Sequence, residues 1–353
     1  MRADYLALRT EAVLLETQYA ALWRLSGPGA WPAVDALLSC DAAVRSGRLR
    51  HGLVLDEGGR IAADAYLGRL GDDLLIWCEP PELDLTSLLP AGADVQLECV
   101  TSTRRILGVH GPFAWEVVAR AIGPQVIGMP FQTVMETELG LLVRAGRTGE
   151  YGFDLAVDSA KVEATVARLD EAAARLGLPD GVTRSTDALS LLDLAALESG
   201  FFSIRHDPSP ACPLEAQLRW RLLLSKPFRG RDGLLRRTEE PQPRRLMRCV
   251  SPMPWSGASA LYLDGAAVGQ LVRVLPCPAL SQGLGLALVA TEVALPGLWL
   301  SLEREGSASV RLIAAPLLDN WSLSIDPQRH TLQDPAAERP SQPRLRPGWE
   351  GRV

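Results

Sequence analysis

The sequence predicts an α+β protein of several domains, the last of which is all-β and is followed by a disordered tail. Three observations support this fold class. A chain of 353 residues is too long to be organised around one hydrophobic core. Its first two-thirds mixes strand-like and helix-like patterns, which is typical of an α+β arrangement. Beyond residue 239, short strand-like runs follow one another with hairpin turns between them.

The composition is that of a globular protein and argues against two classes of partner. Hydrophobic residues make up 47% of the chain, and the formal net charge is −6. An acidic chain is unsuited to a general nucleic-acid surface or an anionic-membrane surface. No apolar run reaches membrane-spanning length, and the charged N-terminal segment lacks the apolar core of a signal peptide. These features predict a soluble, cytoplasmic protein with no nucleic-acid or membrane partner.

The six cysteines are scattered, at positions 40, 78, 99, 212, 249 and 277, and none of them forms a CxxC pair. Zinc sites built on cysteine and disulfide frameworks both rely on characteristic cysteine spacings. The sequence therefore predicts neither a disulfide framework nor a metal site.

The first part of the chain alternates between the two kinds of secondary structure. The predicted elements are a helix–strand segment at 4–24, a helix at 31–38, strands at 52–55, 61–70, 74–78, 95–100 and 106–109, and a helix at 112–122. Tight glycine-bearing turns join the strands between residues 52 and 78. This mixture predicts a compact α+β unit over residues 50–124.

Asp64 is a candidate catalytic residue because its strand fixes its backbone. Side chains alternate between the two faces of a strand, so Ile61, Ala63, Ala65 and Leu67 share one apolar face. Asp64 lies on the opposite face. The alanines beside it leave room for a ligand to reach the carboxylate, and a rigid element positions a catalytic group better than a loop does.

A second candidate acid lies in the segment RAGRTGEYGFDL, residues 144–155. Gly146 and Gly149 place turns in front of Glu150, and Gly152 precedes an alternating, strand-like run. Glycine permits positive φ and a close approach to the backbone. Glu150 is therefore expected to point into a pocket, where its carboxylate accepts hydrogen bonds from a ring with two adjacent N–H donors.

The second half of the chain begins with two helices, at 159–176 and 187–199. Each has an aspartate or serine at its start and a glycine after its end, as capped helices do. After a polar, proline-bearing linker, strands with hairpin signals continue as far as residue 314. Residues 334–353 are rich in proline, arginine and charge and are predicted to be disordered.

Segments spread over about residues 1–320 resemble, in order, the glycine-cleavage T-protein (aminomethyltransferase) family, among them the following three. Residues 144–155 resemble R-x-G-Y-T-G-E-x-G-x-E-Φ, with Asp154 in place of the second acid. Residues 59–67 resemble the G-G-I-x-x-D hairpin, and residues 210–234 resemble T-P-x-E-A-G-L-x-W-x-V-x-x-x-K-x-x-F-x-G-[RK]-x-A-L. The resemblance implies the fold of that family, a cloverleaf of three domains around a central folate-type opening, with a jelly-roll or barrel-like C-terminal β domain.

The resemblance also implies where the domains divide. Residues 1–49 and 125–238 are expected to form a discontinuous folate-binding domain, and residues 50–124 an α+β, ferredoxin-like domain. Residues 239–333 are expected to form the C-terminal β domain. Residues 334–353 form the disordered tail.

The family further implies roles for individual residues. Its glutamate at the position of Glu150 binds the pterin ring of tetrahydrofolate, and its acid at the position of Asp64 lies beside the folate nitrogen that accepts the one-carbon unit. Tetrahydrofolate is therefore the implied cofactor, Asp64 the catalytic residue and Glu150 a cofactor-binding residue. Arg144 is kept from the same motif. Glu79 and Arg205 are selected from their positions instead, at a strand end and just beyond the helix at 187–199, as further cofactor-binding groups expected to line the opening. The implied partner is a small-molecule substrate, and the oligomeric state is left open.

The sequence leaves three functions open. The first is a tetrahydrofolate-dependent transferase of a methyl or aminomethyl carbon, or a demethylase, acting on a small molecule. The second is an enzyme of this fold repurposed in specialised metabolism without folate, and the third is a non-catalytic folate-binding accessory protein. Arg147 replaces a family tyrosine, Ala196 a family arginine, and residues 16–18 an Asp-Ser-His step, which favours a reaction other than glycine cleavage. The retained Asp64 and Glu150 favour catalysis.

Overall fold

The computed structural model describes residues 2–205, 212–239, 244–253, 255 and 257–347. The helices are α1 (Ala3–Thr10), α2 (Ala30–Leu37), α3 (Ala114–Ile122), α4 (Val162–Arg175), α5 (Ala188–Ser199) and α6 (Arg231–Glu239). The strands are β1 (Val13–Glu16), β2 (Ala21–Ser26), β3 (Leu49–Leu55), β4 (Ile61–Leu70), β5 (Asp73–Glu79), β6 (Gln96–Cys99), β7 (Arg104–His110), β8 (Thr133–Thr137), β9 (Gly140–Arg144), β10 (Gly152–Asp158), β11 (Thr183–Arg184), β12 (Arg244–Ser251), β13 (Ser259–Leu263), β14 (Ala266–Pro276), β15 (Gly283–Ala290), β16 (Trp299–Leu300) and β17 (Val310–Ile313).

These strands form three sheets. The first sheet has the order β11-β1-β7-β10-β9-β8, and the second has the order β3-β4-β5-β2-β6. The third sheet has the order β13-β14-β15-β12-β17-β16, and all its paired strands are antiparallel. A bridge between Tyr262 in β13 and Ser301, which follows β16, brings its two edges together. The C-terminal sheet is therefore nearly closed into a barrel, and the α+β class predicted from the sequence is confirmed.

The predicted hairpin around Asp64 is present and is fixed at its turn by α6. Asp56 accepts a hydrogen bond from the backbone N–H of Arg60 through Oδ1, at 2.8 Å. Gly59 has a φ of +76°, and a Cβ there would lie 2.3 Å from the backbone nitrogen of Leu234 in α6. Only glycine tolerates both that conformation and that contact. The turn and α6 together set the position of the hairpin and hence of Asp64.

Strand β4 is buried on both faces. Ala63, Ala65 and Leu67 pack against α2 in one apolar cluster. Tyr66, on the opposite face with Asp64, belongs to the core between the sheets. The alternation predicted for this strand is therefore confirmed, but its polar face is directed to the interior of the protein.

Helix α5 also follows its local sequence signals. Asp187 accepts a hydrogen bond from the backbone N–H of Ser190 at 3.2 Å, and Gly200 ends the helix with a φ of +85°. Almost all of the helix is buried, including two acidic side chains, Asp193 and Glu198. These acids cannot face water, so each needs a positive partner from another element.

The sheets do not follow the sequence in blocks. Strand β2 pairs with β5 and β6 in the second sheet, whereas β7 lies between β1 and β10 in the first sheet. The second sheet therefore includes residues 21–26, and the first sheet includes residues 104–110. The domain boundaries at residues 49, 124, 238 and 333 stay a prediction, and hydrogen bonding between strands crosses the first two of them.

Residues 334–347 lie against the body of the protein, which differs from the disorder expected for this segment. Leu345 forms a β-bridge with Leu318, and the guanidinium of Arg344 lies 4.6 Å from the centre of the Trp321 ring. The segment has too few apolar residues for a core of its own, but it packs on apolar surface that the preceding chain supplies. Residues 348–353 of the predicted tail lie outside the described residues.

Deletion of residues 340–353 is expected to lower the Tm by about 1–2 °C. The bridge at Leu345 and the contact of Arg344 with Trp321 together are worth about 1 kcal/mol, and that loss shifts the Tm of a chain of this size by roughly this amount. Differential scanning calorimetry measures it. Deletion of residues 348–353 alone is the control and should leave the Tm unchanged. Equal melting of all three proteins would show that the segment is not bound to the body.

Candidate active site

Asp64 lies near the middle of β4, where the second sheet faces the other elements of the core. Its register partner on β5 is Glu79, the last residue of that strand. Asp64 is 3% exposed and Glu79 is fully buried. Two carboxylates on adjacent strands would repel each other in a medium of low dielectric constant. Their burial therefore depends on the positive groups around them.

His51 and Arg221 share one oxygen of Asp64. His51 Nε2 lies 2.6 Å from Asp64 Oδ1, and Arg221 Nη1 donates to the same oxygen at 3.0 Å. His51 lies on β3, the other strand of the hairpin, whereas Arg221 lies in the segment between α5 and α6. Both side chains are almost completely buried. Asp64 is thus held by two partners from two separate parts of the chain.

Two arginines neutralise Glu79. Arg147 Nη2 lies 2.6 Å from Glu79 Oε1, and Arg205 Nη1 bonds to Glu79 Oε2. Arg205 also donates to Asp193 of α5 through Nη2, at 2.8 Å. Arg147 stands where the related family has a tyrosine, so this ion pair is a consequence of that replacement. The structure brings Glu79 and Arg205 together, and it places Glu79 beside Asp64.

A third pairing completes the group of buried polar residues. The hydroxyl of Tyr19 donates to Asp154 Oδ2 at 2.8 Å, and His110 Nε2 lies 3.2 Å from Asp154 Oδ1. The guanidinium of Arg147 lies 5.8 Å from the centre of the Tyr19 ring, which joins this pairing to the previous one. We call the whole group the central polar cluster; its members are Tyr19, His51, Asp64, Glu79, His110, Arg147, Asp154, Asp193, Arg205 and Arg221.

The two acids on adjacent strands have opposite pKa shifts. Burial alone would raise the pKa of Asp64, but its interactions with His51 and Arg221 outweigh burial and hold that pKa well below its ordinary value. Burial raises the pKa of Glu79 and outweighs the opposite effect of Arg147 and Arg205. Asp64 is therefore a stable carboxylate at neutral pH and a weak base.

Glu150 is enclosed by internal partners instead of pointing into an open pocket. Its Oε2 accepts hydrogen bonds from the backbone N–H of Ser322 at 2.9 Å and from its hydroxyl at 2.6 Å. Arg9 Nη1 lies 3.5 Å from Oε1, and the Glu150 side chain is 1% exposed. Burial, as the largest cause, raises the pKa of Glu150. Cofactor binding by Glu150 stays a prediction. A ligand would have to displace Ser322 or Arg9 to reach its carboxylate.

Arg9 is the centre of this second network. Its Nη2 bonds to Glu198 of α5, and its Nη1 donates to the backbone carbonyl of Thr148 at 2.8 Å. Tyr5 donates to the other oxygen of Glu198 at 2.6 Å. All of these side chains are buried. Arg9 thereby ties α1, α5 and the glycine-bearing segment before Glu150 to one another.

Arg144, the remaining predicted site residue, makes different contacts. Its guanidinium packs over two aromatic rings, 4.7 Å from the centre of Tyr151 and 5.7 Å from that of Phe153. Burial, as the largest cause, lowers its pKa. This packing is that of a residue stabilising the segment around Glu150, and the proposed contact of Arg144 with a cofactor stays a prediction.

A cavity of about 440 Å³ lies next to the central polar cluster. Arg221 lines it and links it to Asp64 through their hydrogen bond. Trp220 also lines the cavity and is 68% exposed, so its ring offers an open aromatic surface. Phe201 and Phe202 add further aromatic lining. A cavity of this size and lining is suited to a ligand with aromatic rings and negatively charged groups.

Several residues of the central polar cluster were not predicted from the sequence. For one of them, His51, the sequence pattern does indicate its place. His51 and Asp64 are diagonal neighbours across the hairpin, since Leu53 is the register partner of Asp64. Counting residues outward from the glycine turn along both strands places His51 on the same face of the hairpin as Asp64. Tyr19, Asp193 and the other distant members had no such signal, because separate elements bring them together.

Comparisons with known proteins indicate which family the chain resembles. Residues 1–226, more than half of the chain, match the family model of the GCVT N-terminal domain. An aminomethyltransferase of Saccharopolyspora erythraea is 28% identical over 332 residues, which cover 89% of each chain. An aminomethyltransferase of Geobacillus kaustophilus is 29% identical over 313 residues, which cover 84% of each chain.

The solved structures include one of closely similar fold. The crystal structure of the glycine cleavage system aminomethyltransferase T from Bartonella henselae superimposes with a TM-score of 0.76 at 21% identity. The match covers 90% of this chain and 89% of that chain, and it confirms the T-protein-like fold predicted from the sequence. The chain therefore belongs to the glycine-cleavage T-protein family, a family of one-carbon transferases of the aminomethyltransferase type.

Proposed function

We propose that the protein is a tetrahydrofolate-dependent one-carbon transferase that moves an aminomethyl or methyl carbon to or from a small molecule. The observation that carries this proposal is the hydrogen bond between Asp64 and Arg221, which connects the buried acid of the family hairpin to the lined cavity. Its relatives are named aminomethyltransferases, and the family match includes the whole of this hairpin. A carboxylate held in a dry interior stabilises positive charge that develops on a reacting amine.

The donors of the central polar cluster and of the cavity lining together fit a reduced folate. Arg147 Nη1 is buried and has no hydrogen-bond partner in the described part of the chain. Such a donor matches an acceptor oxygen, and folate offers a ring carbonyl and two carboxylates. Trp220 and Arg221 would hold an aromatic ring and an anionic group, respectively. Bound tetrahydrofolate would supply the nitrogens that carry the one-carbon unit.

A repurposed enzyme that does not use folate is the second candidate, and one observation favours it. Glu150, the acid that binds the pterin in the related family, is enclosed by Arg9 and Ser322. Arg147 in place of the family tyrosine adds positive charge beside Glu79 in the central polar cluster. A small carboxylate substrate would then be the ligand that best suits the site.

The protein is expected to bind tetrahydrofolate in isothermal titration calorimetry, and Trp220→Ala is expected to weaken that binding by about 1–2 kcal/mol. The loss follows from the aromatic contact that Trp220 would make with a flat ring. Because Trp220 is 68% exposed, its removal should leave the fold intact. Trp299→Ala is the matched control, since Trp299 is 43% exposed and lines a different cavity. No heat of binding in the wild type would overturn the folate proposal and favour the second candidate.

A further inference from the structure

We propose that His51 is the proton-transfer residue of this site and that Asp64 is the positioning residue that orients it. The inference rests on the proposed function and deepens it, because it assigns the base to a histidine instead of to the aspartate. His51 lies within the region that matches the family model, but none of the quoted motifs assigns it a role. The proposal is therefore drawn from the geometry of this chain.

The hydrogen bond to Asp64 determines which nitrogen of His51 is free. A carboxylate only accepts hydrogen bonds, so the proton of the neutral imidazole lies on Nε2, which is 2.6 Å from Asp64 Oδ1. Nδ1 then carries a lone pair. Among the residues that the structure describes, Nδ1 has no hydrogen-bond partner. An imidazole oriented by a carboxylate at one nitrogen and free at the other is the arrangement of a general base.

Packing holds the ring in one orientation. The His51 ring is stacked on the Tyr66 ring, with centroids 4.0 Å apart and an angle of 17° between the planes. The Trp220 ring makes an edge contact with it, with centroids 6.0 Å apart. A ring fixed by two aromatic neighbours and one hydrogen bond loses little freedom when a substrate binds.

The environment favours neutral His51 and charged Asp64 before reaction. Asp64 Oδ1 already accepts from two donors, which makes it a poor base. Asp64 and Tyr66 of β4, Arg221 and Arg147 are the titratable and charged groups that face His51. Burial, as the largest cause, lowers the pKa of His51, and the two guanidiniums act in the same direction against Asp64. His51 is thus unprotonated near neutral pH and able to accept a proton.

The proposed step moves one proton and needs no other reactant. An N–H bond of the bound small molecule breaks, its electron pair stays on that nitrogen, and the proton bonds to His51 Nδ1. The imidazolium that results is stabilised by the negative charge of Asp64. His51 is connected to the cavity through two lining residues, Trp220, whose ring centre lies 6.0 Å from its own, and Arg221, which shares Asp64 Oδ1 with it. The proposed step requires a substrate held in the cavity to reach past these two residues to Nδ1.

Nitrogen-15 NMR of the unliganded protein tests the tautomer directly. The chain has four histidines, so His51→Gln identifies the signals of His51 by their loss. We expect the Nε2–H tautomer at neutral pH and protonation of Nδ1 below the ordinary pKa of 6.5. Asp64→Asn should lower the pKa of His51 further, because it removes a negative charge. An Nδ1–H tautomer, or a ring that takes up no proton before the protein unfolds in acid, would overturn the proposal.

Kinetics with the same variant separate a base from a structural residue. The amide N–H of Gln at position 51 can keep the hydrogen bond to Asp64 but supplies no base. His51→Gln should therefore lower turnover about 10²–10⁴-fold and remove the acidic limb of the pH–rate profile. The assay is conversion of tetrahydrofolate to 5,10-methylenetetrahydrofolate with a panel of small aminomethyl compounds. A reduced rate with an unchanged pH profile would mean that His51 is only structural.

Two controls keep the result interpretable. His330→Gln replaces a buried histidine beside Trp321, outside the site, and should leave turnover unchanged. If His51→Gln does not fold, His51→Asn and the wild-type NMR titration still decide the question. Failure of the proposed function is distinguishable, because absence of folate binding in calorimetry leaves the tautomer and titration of His51 measurable in the unliganded protein.

Discussion

Asp64→Asn is expected to lower turnover about 10²–10⁴-fold while leaving the protein folded. Asparagine keeps the shape of the side chain and an oxygen that accepts from His51 and Arg221, so the hydrogen bonds at 2.6 and 3.0 Å can persist. The negative charge is lost. Without it the imidazolium of His51 and positive charge on a reacting amine both lose the counter-charge of Asp64.

The comparison that tests this expectation uses the same conversion of tetrahydrofolate to 5,10-methylenetetrahydrofolate, together with calorimetry. Tetrahydrofolate affinity should change little in Asp64→Asn, because the change affects the chemical step more than binding. Asp41→Asn is the matched control, since Asp41 pairs with Arg50 at the surface. Wild-type turnover in Asp64→Asn would show that Asp64 is a structural acid, and the mechanism implied by the family would not apply to this chain.

Arg9→Met is expected to lower the free energy of unfolding by about 3–5 kcal/mol. Methionine fills much of the space of arginine but leaves Glu198 and Glu150 without their positive partner in the interior. Glu198 is fully buried, so water cannot take the place of the guanidinium. The backbone carbonyl of Thr148 also loses its donor.

Urea denaturation followed by circular dichroism measures this change. Arg2→Met is the control, because the pair of Arg2 with Asp4 is half exposed on the arginine side and should contribute no more than about 1 kcal/mol. The double variant Arg9→Met with Glu198→Gln should recover part of the loss, since it removes one unpaired charge. A loss below about 1 kcal/mol for Arg9→Met would contradict the assignment of Arg9 as the required positive partner of these two acids.

The features of the fold predicted from sequence were those with local causes. The hairpin of β3 and β4 depends on a glycine turn and on alternating apolar residues, and both signals lie within 20 residues. Helix α5 depends on Asp187 at its start and Gly200 at its end. Such elements were expected almost at their observed limits. The pairing of β2 with β5 and of β7 with β1 had no local signal, because strand partners are chosen by long-range packing.

The site was predictable only in part, for the same reason. Asp64 was selected from its strand and from a family motif, and it is indeed buried at the heart of the polar cluster. Glu79 and Arg205 were selected singly, while their ion pair depends on the meeting of β5 with the segment after α5. Glu150 was expected in an open pocket. The backbone N–H and hydroxyl that enclose it belong to Ser322, 172 residues further along the chain.

The sequence by itself determined the class of the protein, the hairpin and capped helices, and the identity of one central acid, because propensity, turn chemistry and motif spacing are properties of neighbouring residues. Only the tertiary structure decided which charges neutralise that acid and which histidine it orients. The contribution of a buried charge depends on every group within a few ångströms, and in a folded chain those groups come from distant positions. His51, Arg147 and Arg221 around Asp64 are such groups, and their arrangement gives the site its proposed chemistry.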